Sequence, residues 1–158
     1  MKTLKIYLAH SLTQAPAELL ARMKILRQAL KDIPGVEVLD FAWERGPKFN
    51  EQVNVYEYDM NCVREADLVV AVLDNISSGT SMEIQSRCQM SGQPLVCFFK
   101  KGIRVSKIIA DCITFHRNKN ASADALPDPI EYSDDQEIIE YVTRWVRARQ
   151  DHLLSVPR

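Results

Sequence analysis

Asp67-Leu-Val-Val-Ala-Val-Leu-Asp-Asn-Ile-Ser-Ser-Gly-Thr-Ser-Met-Glu83 decides how the rest of the chain is read. Leu68 to Leu73 is an unbroken, valine-rich apolar run, the pattern of a strand covered on both faces in a parallel sheet. Ser77, Ser78 and Gly79 lead away from that strand. Thr80-Ser-Met-Glu83 has the S/T-x-x-E spacing of a capping box, in which two side chains reciprocally satisfy free backbone N–H groups, so a helix is expected to start near Thr80. Its unpaired N–H groups and the positive end of its dipole would face the space above the strand tip, a setting that holds phosphate or carboxylate.

Working outward, Lys2 to Ala9 reads as a first strand that runs into the polar loop His10-Ser11-Leu12-Thr13. Pro16 suits the first turn of a helix in which Leu19, Met23, Leu26 and Leu30 recur at helical spacing, and Pro34-Gly35 ends it. Val36 to Phe41 is expected as a second strand, and Trp43 to Asn54 as a loop long enough to cover a pocket. A helix over Tyr56 to Glu65 carries Asp59 and feeds the central strand. Gly92 stops the Glu83 helix, and Leu95 to Phe99 forms the next strand.

Val105 to Ala110 is read as a short helix, His116 to Pro129 as irregular and Ile130 to Tyr132 as a short edge strand. Ser133-Asp-Asp-Gln136 is a second capping-box pattern, opening a helix with Ile138, Ile139, Val142, Trp145 and Val146 on one face. This alternation predicts an α/β, flavodoxin- or Rossmann-like doubly wound parallel sheet of about five strands in the order 2-1-3-4-5. Strands one and three are then neighbours whose connections leave on opposite faces. The loops from Tyr7 to Thr13 and from Asn75 to Glu83 therefore border one crevice.

A chain of 158 residues is expected to form one domain over 1–150, with a loose tail over 151–158. Its net charge of −1 provides no chain-wide basic surface, so the expected partner is a small molecule and not a nucleic acid polymer. No apolar run reaches the length of a membrane span, and Met1-Lys-Thr-Leu-Lys runs straight into a strand pattern; a cytoplasmic protein without membrane contact is expected. Cys62, Cys88, Cys97 and Cys112 lack C-x-x-C spacing, which argues against zinc or a redox pair and for free, mostly buried thiols.

Taken singly, the polar residues of the crevice have structural readings. Glu83 is a capping carboxylate, Asp59 a helix-surface acid, Ser77 and Ser78 are turn residues, Tyr7 belongs to the core and His10 to a loop. Their convergence at the carboxyl ends of adjacent strands points to a site.

The pattern Ile6-Tyr7-Leu-Ala, then Asp59, then Ala66-Asp67-Leu-Val-Val-Ala and Gly79-Thr-Ser-Met-Glu83-Ile resembles the nucleoside 2-deoxyribosyltransferase superfamily over most of the chain. Ser77-Ser-Gly-Thr-Ser-Met-Glu-Ile is similar to its nucleotide branch, the 2'-deoxynucleoside 5'-monophosphate N-hydrolases and especially the CMP N-glycosidases. The resemblance implies Glu83 as nucleophile toward the anomeric carbon, Tyr7 holding its carboxylate and Asp59 serving at the base. It places Ser11, Ser77, Gly79 and, from a neighbouring subunit, Ser106 around the 5' end of the sugar. It further implies a homodimer or larger assembly with a shared active site, and no cofactor or metal.

Two positions depart from the pattern: Thr13 stands where the deoxynucleotide hydrolases carry arginine, and Ser81 where a glycine is usual. Lys100, Lys101 and Arg104 are candidates to replace the missing positive charge, and Phe41, Trp43 and Phe49 are candidates to stack on a base. The activity expected is hydrolysis of the N-glycosidic bond of a (deoxy)nucleoside 5'-monophosphate. The alternatives are base exchange between nucleosides by a deoxyribosyltransferase and a non-catalytic nucleotide-binding module.

Overall fold

The computed structural model describes residues 2–120 and 125–155. Among them a five-stranded, all-parallel sheet runs in the order β2-β1-β3-β4-β5, as expected. The strands are β1 (Leu4–Ala9), β2 (Val36–Val38), β3 (Leu68–Val72), β4 (Leu95–Lys100) and β5 (Ile130–Tyr132). The helices are α1 (Ala17–Lys31), α2 (Pro47–Gln52), α3 (Val55–Glu65), α4 (Ser78–Cys88), α5 (Lys107–Asn120) and α6 (Asp135–Ser155). A short 3-10 helix over Ala42–Arg45 precedes α2.

Alternation along the strands divides the interior into two cores. Leu4, Ile6, Leu8, Leu68, Val70, Val72, Val96 and Phe98 pack with α1 and α6 on one face of the sheet. Tyr7, Ala9, Val69, Ala71, Leu95 and Cys97 pack with α3, α4 and α5 on the other. All five residues of β3 are buried, which is why its sequence shows no alternation. Helix α1 leaves β1 toward one face and α4 leaves β3 toward the other, opening a crevice above Ala9 and Ala71, which are paired in register.

Several boundaries differ from the sequence reading. Strand β2 ends at Val38, not Phe41, because the carbonyl of Leu39 accepts a 2.6 Å hydrogen bond from the buried Arg27 and the chain turns out of the ladder. The stretch expected as a loop over Trp43 to Asn54 is largely helical, with Gly46 at φ 91° between the 3-10 helix and α2 and Pro47 in the first turn of α2. Helix α5 continues to Asn120, well past the expected end at Ala110; residues 121–124 of the stretch read as irregular lie outside the described residues.

The second capping box sits one residue later than predicted. The Asp134 carboxylate accepts from the Gln136 N–H at 2.8 Å, while Glu137 Oε1 accepts from the N–H groups of Ser133 and Asp134. A charged carboxylate at Glu137 is the stronger acceptor, so Asp134 and Glu137 take the places expected of Ser133 and Gln136. Residues 151–155, expected within a loose tail, form the exposed last turn of α6, and 156–158 lie outside the described residues. No helix among the described residues is long and apolar enough to cross a membrane. None of the four cysteines forms a disulfide; Cys88 and Cys97 are buried and Cys62 and Cys112 half-buried.

Candidate active site

A cavity of about 550 Å³ occupies the crevice between β1 and β3. Its walls come from the loop after β1 (His10 to Gln14), the start of α4 (Ser77 to Thr80, with Glu83), Asp59 of α3, and Trp43. The sequence reading had Thr80 and Glu83 capping α4, but the helix begins earlier. Ser77 is the N-cap: its Oγ accepts from the Thr80 N–H at 3.2 Å and lies 3.0 Å from Thr80 Oγ1. Serine and threonine compete for the cap, and with Ser77 in place Glu83 falls in the second turn with nothing to cap.

There Glu83 points inward, on the helix face shared by the buried Thr80, Ile84, Arg87 and Cys88. It is 8% exposed, and its Oε1 accepts a 2.6 Å hydrogen bond from the hydroxyl of Tyr7. Strand alternation explains the meeting, because Tyr7 faces the α3–α5 side of the sheet beneath α4. Burial pushes the Glu83 carboxyl up to about 7; the Tyr7 hydrogen bond opposes the rise and the Asp59 charge adds to it. The Tyr7 hydroxyl is raised well above its ordinary value, first by burial and then by the charges of Glu83 and Asp59. It therefore stays protonated and keeps donating.

Asp59 Oδ1 accepts from the Ala42 N–H at 2.8 Å, which fixes the side chain against the segment after β2. Partial burial raises its pKa, and the Ala42 hydrogen bond resists. Two carboxyl groups thus share one cavity with both affinities for the proton raised, an arrangement suited to acid, base or nucleophilic work.

Of the other predicted residues, Ser11, Ser77 and Gly79 are in the cavity wall. A Cβ built on Gly79 would meet only Ser77 Oγ, at 3.8 Å, so the chain itself does not require glycine there. Ser106 is not in the wall; it is exposed just before α5, and its carbonyl accepts from the N–H groups of Ile109 and Ala110. Lys100, Lys101 and Arg104 do not line the cavity. Of the three aromatic candidates only Trp43 does. Phe41 is buried between His10 and Arg27, and Phe49 packs against Tyr58 and Arg45.

Three features were missed in the sequence. His10, read as a loop residue, is 9% exposed and lines the cavity. Asp74 ties the start of the β3–α4 loop to its surroundings, pairing with Arg22 at 2.5 Å, accepting from the Tyr132 hydroxyl and taking the Lys100 N–H at 2.9 Å. Arg87 is fully buried and donates to the carbonyls of Val63, Ala66 and Pro94 at 2.7 to 3.1 Å, joining the end of α3 to α4 and the entry to β4. Burial lowers its pKa to about 10, which leaves it charged at neutral pH.

Fold and crevice together define a doubly wound α/β protein with a paired-carboxyl cavity at the switch point of its sheet. No known family model matches the chain, and no curated protein matches it. Among solved structures it is similar to the CMP N-glycosidase BcmB of Clostridium botulinum, with a TM-score of 0.56 and 18% identity, over 87% of this chain and 97% of that one. At this identity the likeness concerns the fold alone, and it agrees with the expected doubly wound parallel sheet.

Proposed function

We propose that this chain is a nucleotide N-glycosidase that hydrolyses a (deoxy)nucleoside 5'-monophosphate to free base and (deoxy)ribose 5-phosphate. The observation that carries the reading is Glu83, a buried carboxyl held by Tyr7 at 2.6 Å on the wall of a cavity that also contains Asp59. Likeness of fold to a CMP N-glycosidase supports it.

In the proposed reaction the Glu83 carboxylate attacks the anomeric carbon as the C–N bond breaks, and the bonding electrons leave with the base. Asp59 hydrogen-bonds or protonates that base. Departure leaves oxocarbenium-like charge on the sugar, which an adjacent carboxylate stabilises and traps as an ester. Water then attacks the anomeric carbon and breaks its ester bond to Glu83, returning the carboxylate, while the water proton passes to Asp59 where Asp59 has protonated the base, or otherwise to the departed base. Tyr7 donates to the Glu83 oxygen throughout and fixes the direction from which it approaches.

The phosphate is assigned to the start of α4, near Ser11, Ser77 and Gly79. The Thr80 N–H is already taken by Ser77 Oγ, leaving the N–H groups of Ser78 and Gly79 at the helix end for an anion. When Thr80 Oγ1 is the donor in its contact with Ser77, the Ser77 proton is also free for the phosphate. The active form is proposed to be at least a dimer, with Ser106 of the partner subunit completing the 5' end of the site.

Incubation with a panel of nucleotides and nucleosides, with and without an acceptor base, tests the reading. Free base without acceptor is expected from wild type, and none from a folded Glu83→Ala variant. Activity retained in that variant removes Glu83 as nucleophile, base exchange indicates a transferase, and no turnover at all indicates a binding module. Full activity in a species shown by light scattering to be monomeric would remove the shared site.

A further inference from the structure

The proposed chemistry assigns no role to His10. The residue is nine-tenths buried yet forms part of the cavity wall, and its Nδ1 lies 2.9 Å from the carbonyl oxygen of Ser11. A carbonyl oxygen can only accept, so Nδ1 carries the hydrogen and, in the neutral ring, Nε2 is a bare acceptor. Burial and the nearby Arg27 charge lower the pKa of His10, although the Ser11 carbonyl opposes them; the neutral ring is the form present at pH 7 and above. The ring is held edge-on by Phe41, with centroids 5.4 Å apart. The next residue, Ala42, holds Asp59 through its N–H. One short segment therefore fixes both His10 and the carboxyl group assigned to the base.

We propose that His10 is a specificity-determining residue whose Nε2 accepts an N–H of an exocyclic amino group on the base, so that the site takes cytosine- or adenine-type nucleotides in preference to their oxo counterparts. The proposal rests on the nucleotide reading of the site. Both states of Asp59 lead to the same class. Ionised, Asp59 and His10 are two acceptors that match the two hydrogens of an amino group. Protonated, Asp59 donates to the ring nitrogen beside the amino group while His10 accepts from the amino group itself. An oxo base inverts this edge, presenting one N–H next to carbonyl oxygens whose lone pairs face acceptors. A site built around a specific hydrogen bond discriminates strongly against an analogue that lacks it.

The experiment compares kcat/KM for CMP against UMP and AMP against IMP, in wild type, His10→Phe and His10→Gln. In parallel, calorimetry measures binding of the same four nucleotides to Glu83→Gln. Expected are an amino preference of at least about tenfold for one pair in wild type, a ratio near one in His10→Phe, and an intermediate ratio in His10→Gln, whose amide is both donor and acceptor. A ratio that survives in both variants, or a wild type indifferent to the exchange, overturns the proposal. If no nucleotide is cleaved, the hydrolase reading fails separately, and amino selectivity in binding that is lost on adding His10→Phe still supports His10. Equal binding of all four, or none, overturns it. Thermal melts of both His10 variants exclude loss of the fold as the cause.

Discussion

Replacing Glu83 with glutamine should stabilise the protein at alkaline pH while abolishing turnover. The carboxyl titrates near 7 in the folded chain against an ordinary 4.5. Between those values the folded chain holds a proton that the unfolded chain has released. The stability contributed by the protonated form is therefore fully present below about pH 4.5 and is lost as the pH rises through about 7. From pH 5 to pH 8 this loss is roughly 2 to 3 kcal/mol. Glutamine has no proton to lose, and its amide oxygen can still accept from Tyr7.

Wild type and Glu83→Gln should therefore melt at similar temperatures at pH 5. At pH 8 the variant should melt higher, by about 5 to 10 °C on the scale of ~2 to 4 °C per kcal/mol for a domain of this size. Differential scanning calorimetry of both proteins across this range is the assay, and other titrating groups cancel in the difference. In the proposed reaction the same ionisation makes the nucleophile, so wild-type kcat/KM should rise with pH through about 7. A Glu83→Gln melting difference that stays flat from pH 5 to pH 8 would refute the reasoning, because it would mean that the carboxylate ionises in place without cost.

Arg87→Leu leaves the carbonyls of Val63, Ala66 and Pro94 without their buried donor and should cost about 3 kcal/mol or more, read as a fall in the urea midpoint. Gly79→Ala should fold normally and gain up to about 1 kcal/mol from helix propensity, yet bind nucleoside monophosphate more weakly because the new methyl enters the cavity wall; unchanged affinity by calorimetry moves the phosphate elsewhere. A 5'-monophosphate should be cleaved at least roughly tenfold more efficiently than its nucleoside, a ratio that needs only ~1.4 kcal/mol. Ser77→Asp should lower or reverse that ratio by placing like charge against the phosphate, as kcat/KM for both substrates will show.

The sheet was legible because its signal is local. Six apolar residues from Leu68 to Leu73 mark β3 as central without reference to any partner, and the alternation of such runs with helical patterns then yields the strand order and the crevice. The start of α4 was harder. Ser77 and Thr80 are both good caps, and the choice between them rests on a contact 76 residues away in sequence, from Tyr7 to Glu83.

His10 and Arg87 had weaker local signals. Arg87 stands four residues after Glu83 and so on the same helix face, which could have marked it as inward, but a charged residue at that spacing ordinarily reads as solvated. Nothing near His10 in sequence announces that Phe41 will close over it. Polar side chains buried by distant partners break the local rule that polarity means solvent. The groups that act on Glu83, Tyr7 and Asp59, were legible through their places on β1 and α3, whereas His10 and Arg87 owe their burial to Phe41 and to the carbonyls of Val63, Ala66 and Pro94, partners that no local pattern announces.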